Sequence, residues 1–388
     1  MRPFRTAARI DALPAYLFAS LDRKIAEASA GGIDVISFAV GDPDRPTPAH
    51  IVEAAGRALK DPDTHRYPSY YGLPEFRRAI ASYYRRRFSV ELDPDKQILP
   101  LIGSKEGIAH LATAFVDPGD LVLVSDPGYP VYASSTLLAG GEGVAVPLRA
   151  ENGFLPRLEE IPAKTASRSK ILWLNYPANP TGAVCDLELF REAVDLCREH
   201  GVLLAHDAAY VEVTYDGYTA PSVLQAPGAL EVAIEFGSLS KTYNMTGWRV
   251  GWAAGSETAV EALGRVKTNI DSGIFNALQR AGVAALEGPQ DEVAATMEAY
   301  RRRRDTLLET LNGAGWSLQA PRGAIYVWAP TPNGQTSAAF CELLLERAGV
   351  VVAPGAGYGA QGEGYVRFSL TVPDERLEEG VERIRRSL

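Results

Sequence analysis

Cysteine is scarce in this chain of 388 residues. Its three thiols, Cys185, Cys197 and Cys341, are an odd number and show no C-x-x-C spacing. That excludes a disulfide framework and leaves reduced, inert thiols in a cytoplasmic protein as the expectation. Histidine is nearly as rare, with five residues and no pair at ligand spacing on one helix face, so no metal site is expected. Long hydrophobic runs are missing. None approaches the roughly 18–20 residues a membrane span needs, and the N-terminus, MRPFRTAARIDALPAY, lacks the apolar segment of a secretory signal. A basic excess is missing too. With 39 Lys+Arg against 48 Asp+Glu the formal net charge is −9, the wrong sign for a surface that must neutralise phosphates, which argues against a nucleic-acid partner. The one dense basic run, 301–304, stands among helix formers and is expected to coat a solvated helix face. No repeat or low-complexity tract suggests a solenoid or a disordered tail.

What remains is an ordinary globular composition, 46% hydrophobic and 22% charged. Short apolar runs alternate with helix patterns through the middle of the chain. Strands are expected at 98–102, 121–125, 144–148, 170–176, 202–207, 232–238 and 249–255, several apolar almost throughout, as strands covered on both faces are. Helices are expected at 105–116, 129–139 and 186–201, the last with Asp186 as N-cap and Gly201 at its C-terminal end. This alternation means an α/β domain whose large sheet is mostly parallel and flanked by helices. Past a long helix at 290–315 the mixture is finer, with strands at 324–330, 350–354 and 365–370 and helices near 337–348 and 374–387. That reads as a smaller α+β domain. The expected division is 47–287 for the large domain, with 1–46 and 288–388 together forming the small one.

In such sheets ligands bind beyond the carboxyl ends of the strands, so the residues just past each strand carry the argument. Gly103-Ser104-Lys105 opens a helix, and free N–H groups at a helix start form an anion site, although a plain N-cap has the same look. Asp207 closes an apolar strand, where a carboxylate is costly unless it meets a cation. That cation is either a structural arginine or a protonated cofactor nitrogen. Lys241 stands in Gly237-Ser238-Leu239-Ser240-Lys241, with Arg249 eight residues on. A surface lysine is the plain reading. A desolvated lysine beside other cations loses its proton readily and forms a Schiff base. Asn179-Pro180-Thr181-Gly182 is a turn by composition, and it follows strand 170–176. The glycines from Gly355 to Gly364 are not in G-x-G-x-x-G order, and no phosphate-loop G-x-x-x-x-G-K-[ST] occurs.

Asn179-Pro-Thr-Gly, Asp207-x-x-Tyr210, Ser-x-Ser-Lys241 and Arg249, in that order and spacing, resemble the fold-type I pyridoxal-phosphate aminotransferases. The resemblance runs from FAVGDPD at 38–44 through RYPSYYGLPEFRRAI and SLSKTYNMTGWRVGW to YVRFSLT. Within that family the wording is most similar to the LL-diaminopimelate aminotransferases, in GSKEGIAHL, HDAAYVEVTYDGY and VKTNIDSGIFNALQ. Alanine and aspartate enzymes share parts of these strings, and a β-lyase on the same fold would need the same lysine. The resemblance implies pyridoxal 5'-phosphate as cofactor, an amino acid and a 2-oxo acid as substrates, and a homodimer with shared active sites. It implies that Lys241 carries the cofactor and moves the proton, that Asp207 holds the ring nitrogen protonated, and that Tyr210 and Asn179 bond the ring's phenolic oxygen. Tyr129 would stack on the ring. Gly103, Ser104, Lys105, Ser238, Ser240 and Arg249 would hold the phosphate, joined by Tyr67 of the neighbouring subunit. Arg367 would grip the substrate α-carboxylate in a two-pronged contact, with Gly41 and Asn179 beside it. Tyr16 and Tyr71 are the candidates for the distal end of the substrate.

Overall fold

The computed structural model describes residues 4–14 and 17–387, without the side chains of 17–20. Its strands in chain order are β1 (Ile36–Ser37), β2 (Ile98–Leu101), β3 (Leu121–Asp126), β4 (Glu142–Pro147), β5 (Ser169–Asn175), β6 (Leu203–Asp207), β7 (Ala233–Ser238), β8 (Gly251–Gly255), β9 (Tyr326–Pro330), β10 (Val350–Val351), β11 (Ala353–Pro354) and β12 (Tyr365–Ser369). Seven of them form one sheet in the order β2-β8-β7-β6-β5-β3-β4. Its strands are the apolar runs of the sequence because helices cover both faces. Leu172, Trp173, Leu204, Ala205, Ile234 and Phe236 are all fully buried. Each large side chain so buried contributes about 1.5–3 kcal/mol. The edge strand β4 is mostly exposed, with Val146 its one buried residue, and correspondingly less apolar.

Only β8 runs against the others. It is antiparallel to both β7 and β2, while β3/β4, β3/β5, β5/β6 and β6/β7 are parallel. The sheet therefore presents the C-terminal ends of β2, β6 and β7 and the start of β8 along one edge. Asp207, Ser238, Gly103 and Arg249 meet there although more than a hundred residues separate the first from the last in sequence. Helices follow the strands as their caps dictate. In the helix Leu187–His200 the Asp186 carboxylate accepts from the Leu189 amide at 3.3 Å, and Gly201 ends the helix in the left-handed conformation at φ 69°.

The C-terminal strands pack on the N-terminal segment. β9, β11 and β12 form an antiparallel sheet, and β10 pairs in parallel with β1. The expected single strand 350–354 is thus two strands. The chain crosses at Val352 from one sheet to the other, so its backbone partners change from Ile36–Ser37 to Val366 and Arg367. Phe38 meets Phe368 edge to face at 5.9 Å, and Ala39 packs with Trp328 and Val351. Residues 36–39 thus sit with the C-terminal part, whereas the short helix Ala8–Asp11 lies against the large-domain helix Val131–Ala139.

The basic run at 301–304 is not a solvated face. Arg303 and Arg304 are 7% and 3% exposed, whereas Arg302 lies on the surface. In the 23-residue helix Asp291–Gly313 the buried stripe includes Tyr300, Arg303, Arg304, Leu307, Leu308 and Leu311, a helical period that two of the four arginines cannot avoid. Arg303 makes a two-pronged contact to Asp44 at 2.7 and 2.9 Å and also bonds Asp374 and the Leu370 carbonyl. Arg304 pairs with Asp216 at 2.6 Å, its guanidinium 5.1 Å from the Tyr215 ring centroid. Replacing Arg303 with Ala strands Asp44 and should cost about 3 kcal/mol in urea unfolding. Arg302→Ala should stay within about 0.5 kcal/mol of the parent. Equal effects of the two substitutions would refute this division of roles.

Candidate active site

The strand edge opens into a cleft of about 340 Å³ lined by Gly41, Asp42, Ser104, Lys105, Tyr129, Asn179, Asp207, Tyr210, Ser238, Ser240, Lys241, Thr246, Arg249, Tyr326 and Arg367, among others. At its floor β6 delivers Asp207, 5% exposed. One carboxylate oxygen accepts from the Tyr132 hydroxyl at 2.8 Å and the other from the Ala209 amide at 3.2 Å. Among the described residues no cation stands within ion-pair distance of it. Burial raises its proton affinity above that of an ordinary carboxylate, only partly opposed by these two donors and by His206.

The anion cup lies along the same edge. Gly103 has φ 75°, and a Cβ there would stand 2.1 Å from an Arg249 guanidinium nitrogen, so only glycine lets the arginine cross the start of the helix Ser104–Phe115. Arg249 is itself left-handed at φ 57°, with one guanidinium nitrogen donating to the Thr246 carbonyl at 2.9 Å. Ser238 accepts from the Ser240 amide at 3.1 Å, which fixes the turn from β7 into the short helix Leu239–Thr242. That helix carries Lys241, whose amine donates to the Gly41 carbonyl at 2.6 Å. Burial pulls its pKa down to about 8, Arg367 and Arg249 add to the fall, and Asp42 opposes it.

The roof comes from the C-terminal sheet. Arg367 on β12 is fully buried and donates to the Asn179 side-chain oxygen at 2.7 Å and to the Ala39 carbonyl at 2.6 Å. Asn179 is held from below as well, its backbone N–H donating to the Asn175 side-chain oxygen at 2.8 Å. Tyr210 and Tyr326 share a hydroxyl–hydroxyl bond of 2.7 Å. At Gly41 the space a Cβ would need is filled by the Tyr326 ring and hydroxyl, the latter 2.2 Å away. Tyr129 lines one wall, with the Lys105 ammonium 6.0 Å from its ring centroid.

Two of the expected residues do not enter this cleft. Tyr67 and Tyr71 lie on the loop before the helix Pro74–Phe88, 88% and 52% exposed, and the Tyr71 ring faces Gly264 instead. Tyr70, Ile270 and Phe275 are exposed too, and Gly273, between the last two in sequence, lies against Pro68 and Ser69. Tyr16 lies outside the described residues. Contributors that escaped the reading of the sequence include Asp42, Thr246 and Tyr326 on the lining, and Tyr132 behind it. Tyr132 stands three residues past Tyr129, a spacing that would have flagged it had the helix begun at 129 as expected, but the helix opens only at Val131. Tyr326 had no such signal, because its place depends on how β9 registers against β12.

These groups fit pyridoxal phosphate. The cup suits a phosphate, the buried acid suits a protonated ring nitrogen, and a lysine of lowered proton affinity suits the aldehyde. Residues 33–384 match the family model for aminotransferase class I and II. Over 382 residues the chain is 59% identical to the LL-diaminopimelate aminotransferase of Desulforudis audaxviator, across 98% of this chain and 97% of that protein. It is 55% identical to the enzyme of the same name from Moorella thermoacetica, across 98% of each. Among solved structures, substrate-bound BacF from Bacillus subtilis superposes with a TM-score of 0.96 at 36% identity, over 99% of this chain and 98% of that one. Aspartate aminotransferase from Thermus thermophilus with maleate superposes at 0.92 and 34% identity over the full length of both.

Asp207 allows a test that separates fold from site. A carboxyl whose proton affinity is raised by folding costs stability once pH passes its ordinary range near 4, and the cost persists at neutral pH. Asp207→Asn should therefore leave the melting temperature of the cofactor-free protein at pH 7.5 unchanged or higher, while cofactor affinity falls. A drop of more than about 3 °C, roughly 1 kcal/mol, would show that the carboxylate stabilises the fold instead.

Proposed function

This chain belongs to the class I and II aminotransferases, and on that premise we propose that it moves the amino group of LL-diaminopimelate to 2-oxoglutarate, a step of lysine biosynthesis. It is a pyridoxal-phosphate-dependent transaminase of the fold-type I architecture. One observation carries the choice of donor. Near-full-length relatives at 54–59% identity bear this enzyme's name, whereas solved structures of the same shape bear several. Architecture is therefore common to many donors and selects none of them.

The bound cofactor supplies an electron sink for bond breaking at the substrate's α-carbon. The protein's part is orientation and proton transfer. We assign Lys241 as the group that binds the cofactor and, once freed, would move the proton between the substrate's α-carbon and the cofactor's aldehyde carbon. An amine with a pKa of about 8 can do both near neutral pH. Asp207 is the counter-ion that a protonated ring nitrogen requires, and Tyr132 holds it in place. Tyr210 and Asn179 serve the ring's phenolic oxygen, Tyr129 its face, and Ser104, Lys105, Ser238, Ser240 and Arg249 the phosphate. Arg367 takes the α-carboxylate. Its guanidinium is pinned by Asn179 and Ala39, so little rotamer freedom is left to lose on binding. The exposed residues Tyr67, Tyr70, Tyr71, Ile270 and Phe275 mark the surface we assign to a second copy of the chain, whose cup Tyr67 would complete.

The donor assignment is tested by kcat/KM for LL-diaminopimelate, glutamate, aspartate and alanine with one common keto acid. A site that satisfies distal polar groups loses roughly 1–3 kcal/mol for each one a donor leaves unpaired, so LL-diaminopimelate should lead, glutamate should follow, and alanine should trail by at least about tenfold. Best turnover with alanine or aspartate and none with LL-diaminopimelate would refute the donor and leave the transaminase intact.

The shared site is tested by mixing. Tyr67→Ala and Lys241→Ala chains, each nearly inactive alone, should regain up to about a quarter of wild-type activity, because half of randomly formed dimers carry one intact site. No recovery despite demonstrated chain exchange would mean that each chain builds its site unaided.

A further inference from the structure

We propose that Tyr326 is a positioning residue for the transamination, a single side chain that sets the donor strength of the Tyr210 hydroxyl and seats the Arg367 guanidinium. The inference rests on the roles assigned above to Tyr210 and Arg367. Tyr326 is 2% exposed on β9, opposite Ser369 of β12 and diagonal to Arg367, so the two side chains stand on one face. Its ring lies under the guanidinium carbon of Arg367 at 4.0 Å from the centroid, a cation–π contact inside the protein, where desolvation strengthens it. Its hydroxyl is 2.7 Å from that of Tyr210, and the two rings meet edge to face at 5.6 Å. The same hydroxyl fills the space beside Gly41 that any larger residue would take, and the Gly41 carbonyl is the acceptor for Lys241. One phenol thus touches the supports of three functional side chains.

Proton counting gives the hydroxyl its direction. A phenol has one proton to donate and lone pairs with which to accept. If Tyr210 donates to the cofactor's phenolic oxygen, it has no proton left for Tyr326, so Tyr326 must be the donor in the bond between them. Accepting that bond polarises the Tyr210 O–H and makes it a stronger donor. A stronger donor draws electron density from the phenolic oxygen and the conjugated nitrogen, so the bound chromophore releases its proton at lower pH. The ring acts separately, by holding the guanidinium plane.

Two substitutions separate these effects in the holoenzyme. Tyr326→Phe removes only the hydroxyl. The midpoint of the visible-band pH titration should move up by about half a unit, while KM for both substrates stays within about twofold. Tyr210→Phe should move the midpoint further, and adding Tyr326→Phe to it should move it no more, because the hydroxyl acts only through Tyr210. Tyr326→Leu also removes the ring, and KM for amino acid and keto acid should rise together about tenfold, an effect absent from the Phe variant. An unmoved midpoint in Tyr326→Phe, or a shift that persists in the Tyr210→Phe background, overturns the inference and leaves the Tyr210 assignment standing. An unmoved midpoint in Tyr210→Phe overturns both.

Discussion

Asp207 lies buried at the end of β6 with a phenol and an amide as its donors and no cation within ion-pair reach among the described residues. Taking a carboxylate out of water without a positive partner costs several kcal/mol, and the neighbouring Lys241 is held in a similar condition, its proton affinity pulled down by burial and by two arginines. Neither residue is placed where it would stabilise the fold. Stability comes from elsewhere, from a sheet whose inner strands are covered on both faces. In the proposed site these groups would complete one another only when an anion, a ring nitrogen and an aldehyde arrive together.

Strand direction is what assembles those groups. With six strands running one way, the chain ends that carry Gly103, Asp207 and Ser238 share an edge. The reversal of β8 then sends Arg249 to that edge from the opposite direction. Had β8 been parallel, its arginine would start at the far side of the sheet, some 15 Å or more away for a strand of this length. The left-handed backbone at Arg249 and the positive φ at Gly103 are local costs of crossing the guanidinium over the helix start.

The roof depends on the arginine pair inside the helix Asp291–Gly313. Arg303 grips Asp44, three residues past the glycine whose carbonyl receives Lys241, and on its other side reaches Asp374 and the Leu370 carbonyl next to β12. It therefore ties the segment that touches the lysine to the strand that carries Arg367. Buried charge here serves register between two parts of the chain and not bulk stability, since well-packed apolar residues would often stabilise as much.

Much of this was legible in order along the chain. The covered strands announced themselves as apolar runs, the Asp186 cap and the Gly201 stop as turn chemistry, and the cup, acid and lysine as unusual residues just past strands. These are local signals, set by which side chains a two-sided sheet or a helix end tolerates. Other features were settled by the folded chain alone. The split of 350–354 between two sheets, the burial of Arg303 and Arg304 within a charged run, the hydroxyl contact between Tyr210 and Tyr326, and the exclusion of Tyr67 and Tyr71 from their own chain's cleft all depend on which surfaces meet. The sequence by itself determined the fold class and pointed to the residues proposed for the chemistry, because burial and backbone conformation restrict residue type position by position. Tertiary structure decided which of them touch, because strand register and helix docking bring together residues whose separation in sequence carries no trace of their distance in space.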